Sequence, residues 1–152
     1  MYHRKHSSLL LIVTMLLVFA LTVPMVAHAA VPETLQPMAS NYLDSYGAYT
    51  YAAGNSQVQV WFNVKGVGYV PKLGATEIKL YHSIDSQTWY LVKTYSYETT
   101  SGMMGYNSKL HDGHVDFAGV PGRFYKATVT FYGGTTTSGD YRTYNTSVIL
   151  ST

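Results

Sequence analysis

Apolar and polar residues alternate with a period of two over much of this chain beyond residue 45. The clearest case is the segment 57–64, and the segments 77–81 and 124–131 repeat the pattern. Because successive side chains of a β-strand point to opposite faces of the sheet, the pattern predicts strands with one buried face. The residues predicted to face the core are Val58, Val60, Phe62, Val64, Ile78, Leu80, Tyr125, Ala127, Val129 and Phe131.

Aromatic and β-branched residues predict further strands, and no helical stripe competes with them. These strands are predicted at Tyr46 to Ala53, Trp89 to Tyr97, His114 to Phe117 and Tyr141 to Leu150. Glycine-rich and polar turn signals separate the strands at 66–74, 83–87 and 133–140, and an irregular passage is expected around 101–113. We therefore predict an all-β fold, a single antiparallel β-sandwich of about seven strands.

The first 29 residues have the organisation of a secretory signal peptide. Arg4 and Lys5 precede an apolar run from Leu9 to Val26, and Ala27-His28-Ala29 forms a small-residue cleavage site. Cleavage after Ala29 would leave an extended arm at 30–41 and a β-sandwich domain at 42–152. We expect a secreted, extracellular protein, free or loosely attached to the cell surface, with no integral membrane segment after cleavage.

Composition then excludes several classes of function. The leader holds two of the ten Lys and Arg residues, so eight remain against eight Asp and Glu, and the net charge beyond it is near zero. A neutral chain lacks the basic surface that nucleic acid requires. The absence of cysteine excludes disulfides, thiolate metal sites and a cysteine nucleophile. Export from a bacterium with a single membrane would fit a small cysteine-free domain.

The segment 121–129 (P-G-R-F-Y-K-A-T-V) resembles the P-G-x-x-Y-x-x-x-V motif of fibronectin type III domains, which have an immunoglobulin-like fold. The resemblance covers roughly residues 55–133 and implies that Tyr125 forms a tyrosine corner, its hydroxyl bonded to upstream backbone. It departs from the family at Trp61, because Phe62 occupies the place of the core tryptophan, and at 99–113, which has no counterpart. The whole chain also resembles small exported proteins of Gram-positive bacteria, which implies a compartment but no activity.

No residue cluster predicts catalysis or a cofactor. His111, His114 and Asp116 form the one group with a metal-like composition, but the spacing does not put both imidazoles on one face and no fourth ligand is evident. A solvated turn is the simpler interpretation of this group. The chain has no G-x-S-x-G motif, and its three glutamates lie in no informative context. We therefore predict no enzyme activity, no cofactor and no metal site.

Tyrosine is the unusual component, with 14 of the 15 tyrosines beyond the leader. An exposed row of aromatic rings can stack on sugars or anchor a protein partner, although the same rings also stabilise a sheet by cross-strand packing. Strict alternation puts Trp61 opposite the core-facing row of its strand, so it faces solvent or lies under another segment. The candidate ligand-binding residues are Trp61, Tyr95, Tyr97, Tyr49 and Tyr51.

These observations predict a secreted, non-catalytic binding protein. Its ligand would be an extracellular glycan, a cell-wall polymer or a protein, met through an aromatic face of the sheet. Two alternatives remain open at this stage. One is a secreted antimicrobial or toxin-like protein that acts on other cells, and the other is an extracellular structural protein that self-associates through its sheet edges.

Overall fold

Seven strands account for most of the chain in the computed structural model, which describes residues 40–152. They are β1 (Leu43–Gly54), β2 (Gln57–Ser83), β3 (Tyr90–Ser96), β4 (Met104–Ala118), β5 (Phe124–Gly134), β6 (Gly139–Asn145) and β7 (Ile149–Leu150). All pairs are antiparallel and belong to one sheet that curls into a half-barrel. Residues 40–152 contain no helix, and therefore none that could cross a membrane. The predicted signal peptide and residues 30–39 of the arm lie outside the described residues.

The 27-residue strand β2 organises this sheet. Its first part, up to Gly66, is flanked by β1 on one side and by β4 on the other. Its last part, from Glu77 to Ser83, is flanked by β3 and β5. Strand β6 adds to the far side of β5, and the short β7 follows it along the same strand. Four strands therefore pair directly with β2.

The predicted core residues are confirmed. All ten alternating apolar residues of β2 and β5 are at most 2% exposed, so the predicted segments of both strands bury one face. Phe62 of β2 and Phe131 of β5 meet with their ring centroids 6.3 Å apart. Burial of this many apolar side chains supplies the main driving force for folding.

The prediction of a turn between residues 66 and 74 was wrong, because β2 continues through this segment with a register shift between Lys65 and Val70. The glycines of this segment allow neighbouring groups to lie close to the backbone. A Cβ on Gly74 would lie 2.2 Å from the carbonyl oxygen of Met103, and one on Gly66 would lie 2.6 Å from the Val70 side chain. Both contacts are shorter than any side chain tolerates, so glycine is required there for packing.

The irregular passage expected at 101–113 was also largely wrong, because β4 begins at Met104. Asn107 adopts a positive φ of 48°, and the Ser108 hydroxyl donates a hydrogen bond to the Leu110 carbonyl oxygen at 2.5 Å. Asn and Ser are residue types that predict a turn. Here their local contacts accommodate an irregularity inside a strand. Met103, directly before β4, is completely buried.

The last predicted strand, 141–150, is divided into β6 and β7 by the buried residue Thr146. Its hydroxyl accepts a hydrogen bond from the Ala127 backbone N–H at 2.8 Å and lies 2.6 Å from the Thr50 hydroxyl of β1. The Thr146 hydroxyl thus takes the place of a backbone carbonyl oxygen as the acceptor for the Ala127 N–H. The contact connects β1 to the segment that follows β6.

The turn after β2 is held by one carboxylate. Asp85 accepts hydrogen bonds from the backbone N–H groups of Gln87 and Thr88, both at 2.9 Å, and from the Ser83 hydroxyl at 2.8 Å. The donors, led by Thr88, stabilise the ionised carboxylate and lower the pKa of Asp85 to about 2.

This turn predicts a pH-dependent contribution to stability. Because the pKa of Asp85 is depressed in the folded state, its contribution is present above the unfolded pKa of about 4 and disappears as the pH falls toward 2. Asp85→Asn should therefore be less stable than the wild type at pH 7, and the two should converge near pH 2. Urea unfolding at several pH values measures this, with Asp112→Asn as the control. A stability difference that does not change with pH would contradict it.

Candidate functional site

Three aromatic rings form a row across the outer surface of β1, β2 and β4. The register pairs Tyr49 with Trp61 and Trp61 with His114. The Tyr49 and Trp61 rings are 6.4 Å apart and only 4° from parallel, and Trp61 and His114 are stacked at 4.4 Å and 20°. Since neighbouring strands are about 4.8 Å apart, directly opposed side chains stack in this way without distorting the sheet.

A polar row lies beside the aromatic one. Tyr51, Gln59 and Asp116 are consecutive cross-strand partners on the same three strands. The Gln59 amide donates to Asp116 Oδ1 at 2.8 Å, and its carbonyl oxygen accepts from Trp61 Nε1 at 3.0 Å. His114 Nε2 lies 3.6 Å from Asp116 Oδ2. We call these six residues the aromatic face: Tyr49, Tyr51, Gln59, Trp61, His114 and Asp116.

The members of the aromatic face differ in exposure. Tyr49 and Tyr51 are each about half exposed, at 49% and 52%, whereas Trp61 is only partly exposed. His114 covers one side of the indole, and the Gln59 carbonyl oxygen accepts the hydrogen bond of the indole N–H. The two tyrosines lie on β1, which pairs only with β2 within residues 40–152, so they stand at an edge of the sheet. The accessible aromatic surface is therefore mainly that of Tyr49 and Tyr51, with Trp61 supporting them.

Tyr95 and Tyr97, the other two predicted ligand-binding residues, do not join the aromatic face. Tyr95 is the cross-strand partner of the buried Ile78, and both tyrosines pack against the core. The Tyr95 hydroxyl donates a hydrogen bond to the Asp116 carbonyl oxygen at 2.6 Å, which connects β3 to β4. Burial and the nearby Asp116 carboxylate raise the pKa of the Tyr95 phenol. The structure therefore separates the five predicted residues into two groups.

The residues with a metal-like composition are also separated. His114 and Asp116 lie on the outer surface of β4, whereas the His111 ring packs at 6.0 Å from Phe62 on the inner surface. His111 Nε2 lies 2.9 Å from the Gly102 carbonyl oxygen. No group of three or more His, Cys, Asp or Glu residues that could hold a metal ion occurs within 40–152.

Tyr125 occupies the position of the predicted tyrosine corner. Its side chain is 1% exposed, and its hydroxyl accepts a hydrogen bond from the backbone N–H of Val120 at 2.9 Å. This bond connects the start of β5 to the loop that precedes it.

Sequence reasoning missed His114 and Asp116 as neighbours of Trp61. Gln59 could be recognised as a neighbour from the strand alone, because residues two apart on a strand share a face. His114 and Asp116 are more than 50 residues away in the sequence, and only the register between β2 and β4 brings them there. No local signal encodes that register.

Comparison with known proteins adds little to this geometry. No family model matches the chain, and no curated protein matches it. Among solved structures, it is similar to a crystal structure of a family 76 glycoside hydrolase from a bovine Bacteroides thetaiotaomicron strain, at 12% identity and a TM-score of 0.32. The match covers 72% of this chain and 20% of that one. Similarity at this level carries no argument about fold or activity.

The Tyr95 contact predicts a structural role that can be measured. Tyr95→Phe removes the hydroxyl and leaves the Asp116 carbonyl oxygen without this donor, so the free energy of unfolding should fall by about 1 kcal/mol. Tyr51→Phe is the matched control, because its exposed hydroxyl has no hydrogen bond to any residue in 40–152, and it should leave stability unchanged. Denaturant unfolding compares the two variants. Equal effects would show that the bond between β3 and β4 contributes nothing.

Proposed function

We propose that this protein is a secreted, non-catalytic binding module whose aromatic face holds an extracellular glycan or cell-wall polymer. The observation that carries the proposal is the row of Tyr49, Trp61 and His114, bordered by hydrogen-bonding side chains. An aromatic ring offers apolar area with a polar edge, which suits the apolar faces and hydroxyl groups of a sugar. A protein ligand meeting the same side chains is the other outcome of the test below.

The aromatic face is ordered before any ligand arrives. Trp61 is fixed by stacking on His114 and by its bond to Gln59, and Gln59 is fixed in turn by Asp116. Side chains that are already immobilised lose little conformational entropy on binding. Asp116 retains a second carboxylate oxygen near His114, so it can accept a further hydrogen bond from a sugar hydroxyl.

We further propose that the domain is a two-layered, fibronectin type III-like sandwich. The pairing order supports this, because one set of strands is β1, β2 and β4, and the other is β3, the end of β2, β5 and β6. The contact between Phe62 and Phe131 and the hydrogen bond to Tyr125 agree with it.

Export from the cell is the remaining part of the proposal. It rests on the basic, apolar and small-residue regions of the first 29 residues. An outer location gives the aromatic face access to wall polymers and glycans.

Retention on cell-wall fragments and immobilised glycans tests the proposal. Replacing both Tyr49 and Tyr51 by serine removes the two most accessible rings, and retention should fall about tenfold or more, since aromatic contacts dominate such interfaces. Both side chains are half exposed, so the domain should still fold. Tyr69→Ser is the matched control, because Tyr69 is 77% exposed and lies away from the aromatic face, and it should be retained like the wild type.

Three outcomes would contradict the proposal. One is equal retention of the double variant and the wild type, and another is equal loss in the Tyr69→Ser control. The third is the absence of retention of the wild type on every polymer. Retention by purified wall proteins alone would identify a protein as the ligand.

A further inference from the structure

A pocket that shares no residue with the aromatic face offers a second candidate site. It is a pocket of about 90 Å³ formed where the middle of β2, the start of β4 and the loop between β5 and β6 meet. The residues that line it are Lys72, Thr76, Tyr97, Met104, Tyr132, Thr135, Thr136 and Tyr141. Three tyrosines and three threonines give this pocket aromatic walls with hydroxyl groups.

The wall formed by β5 and β6 is well ordered by its own contacts. The Tyr132 and Tyr141 rings pack with centroids 4.7 Å apart, and the Tyr132 hydroxyl donates to the Thr135 carbonyl oxygen at 2.5 Å. Tyr132 is 7% exposed, whereas Tyr141 is 60% exposed. The pocket therefore has a fixed inner wall and an accessible ring near its opening.

Lys72 is the charged residue of this lining, and no carboxylate lines the pocket with it. Three lysines of the described chain are half-buried: Lys72, Lys79 and Lys126. Lys79 pairs with Glu77 at 2.8 Å, and Lys126 lies 4.2 Å above the Trp89 ring. Within residues 40–152, the Lys72 side chain has no ion pair or hydrogen bond to another residue. An ammonium group that lines a pocket without a carboxylate partner can pair with the anionic group of a ligand.

Asp140 is a carboxylate close to this pocket, because it directly precedes the lining residue Tyr141 and pairs with Gly133 of β5. It is engaged elsewhere: Asp140 Oδ2 accepts a hydrogen bond from the Ser40 hydroxyl at 2.5 Å and from the backbone N–H groups of Asn41 and Tyr42. These donors, led by Ser40, lower the pKa of Asp140. The carboxylate thus anchors the residues directly before β1.

We propose that this pocket binds an anionic saccharide, a sugar that carries a carboxylate or a phosphate group. The anion would pair with the Lys72 ammonium, and the sugar ring would pack against Tyr141 at the opening. The pocket is well below the roughly 300 Å³ of a site that encloses a whole small molecule, so it suits the charged group better than the ring. Charge-assisted hydrogen bonds are about twice as strong as neutral ones, so the anion decides which sugars bind.

Isothermal titration of the purified protein with D-glucuronate, D-glucose 6-phosphate, D-glucose, acetate and inorganic phosphate tests the proposal. At least one of the two anionic sugars should bind more tightly than glucose and than the free anions. The preferred one distinguishes a carboxylate ligand from a phosphate ligand. Lys72→Met keeps the apolar stem but removes the charge, and it should weaken binding about tenfold or more, as should Tyr141→Ser.

Lys109→Met is the matched control, because Lys109 is exposed on β4 and does not line the pocket. It should bind like the wild type. Because Tyr141 is exposed, Tyr141→Ser should fold even if Lys72→Met does not, which keeps the test decisive. Equal binding of glucose and the anionic sugars, unchanged binding by a folded Lys72→Met variant, or no binding of either anionic sugar would each overturn the proposal. None of these results depends on Tyr49 or Tyr51, so failure here is distinguishable from failure of the aromatic face.

Discussion

The continuity of β2 is the constraint on which the rest of this structure depends. One strand of 27 residues pairs with β1 and β4 at one end and with β3 and β5 at the other. Its inner face holds core residues along its whole length, from Val58 to Leu80. A strand of this length can follow a curled sheet only if it bends, and close backbone approach at Gly66 and Gly74 permits the change in register. Each flanking strand then takes its position from β2.

The aromatic face follows from the same register. Direct pairing of β2 with β1 and β4 places Tyr49, Trp61 and His114 side by side, although they belong to three strands. The neighbouring row brings Gln59 and Asp116 together, so an indole, an amide and a carboxylate form one hydrogen-bonded chain. A shift of one residue in either pairing would point the side chains that β1 or β4 contributes into the core. The proposed binding function is therefore a property of strand registration as much as of composition.

Sequence patterns predicted the all-β class, the buried rows of β2 and β5, and the outward direction of Trp61, because strand periodicity is local. The continuity of β2 and the extent of β4 could not be predicted in this way. Gly66, Gly74 and Asn107 are residue types that predict turns. Their places inside strands depend on pairing with segments distant in the sequence. The separation of Tyr95 from Tyr49 has the same origin, since pairing with Ile78 directs Tyr95 to the core. The pocket around Lys72 joins three distant segments and leaves no local signal.

Native-state hydrogen exchange tests most directly whether β2 unites the domain. The account predicts that the hydrogen-bonded amides of 57–65 and of 77–83 exchange with the same free energy, equal to that of global unfolding, because both segments belong to one cooperative unit. The Tyr95 hydroxyl connects β3 to β4, and Phe62 of β2 packs against Phe131 of β5, so both contacts support common protection. Exchange of one segment through an opening of clearly lower free energy, while the other stays protected, would contradict the account.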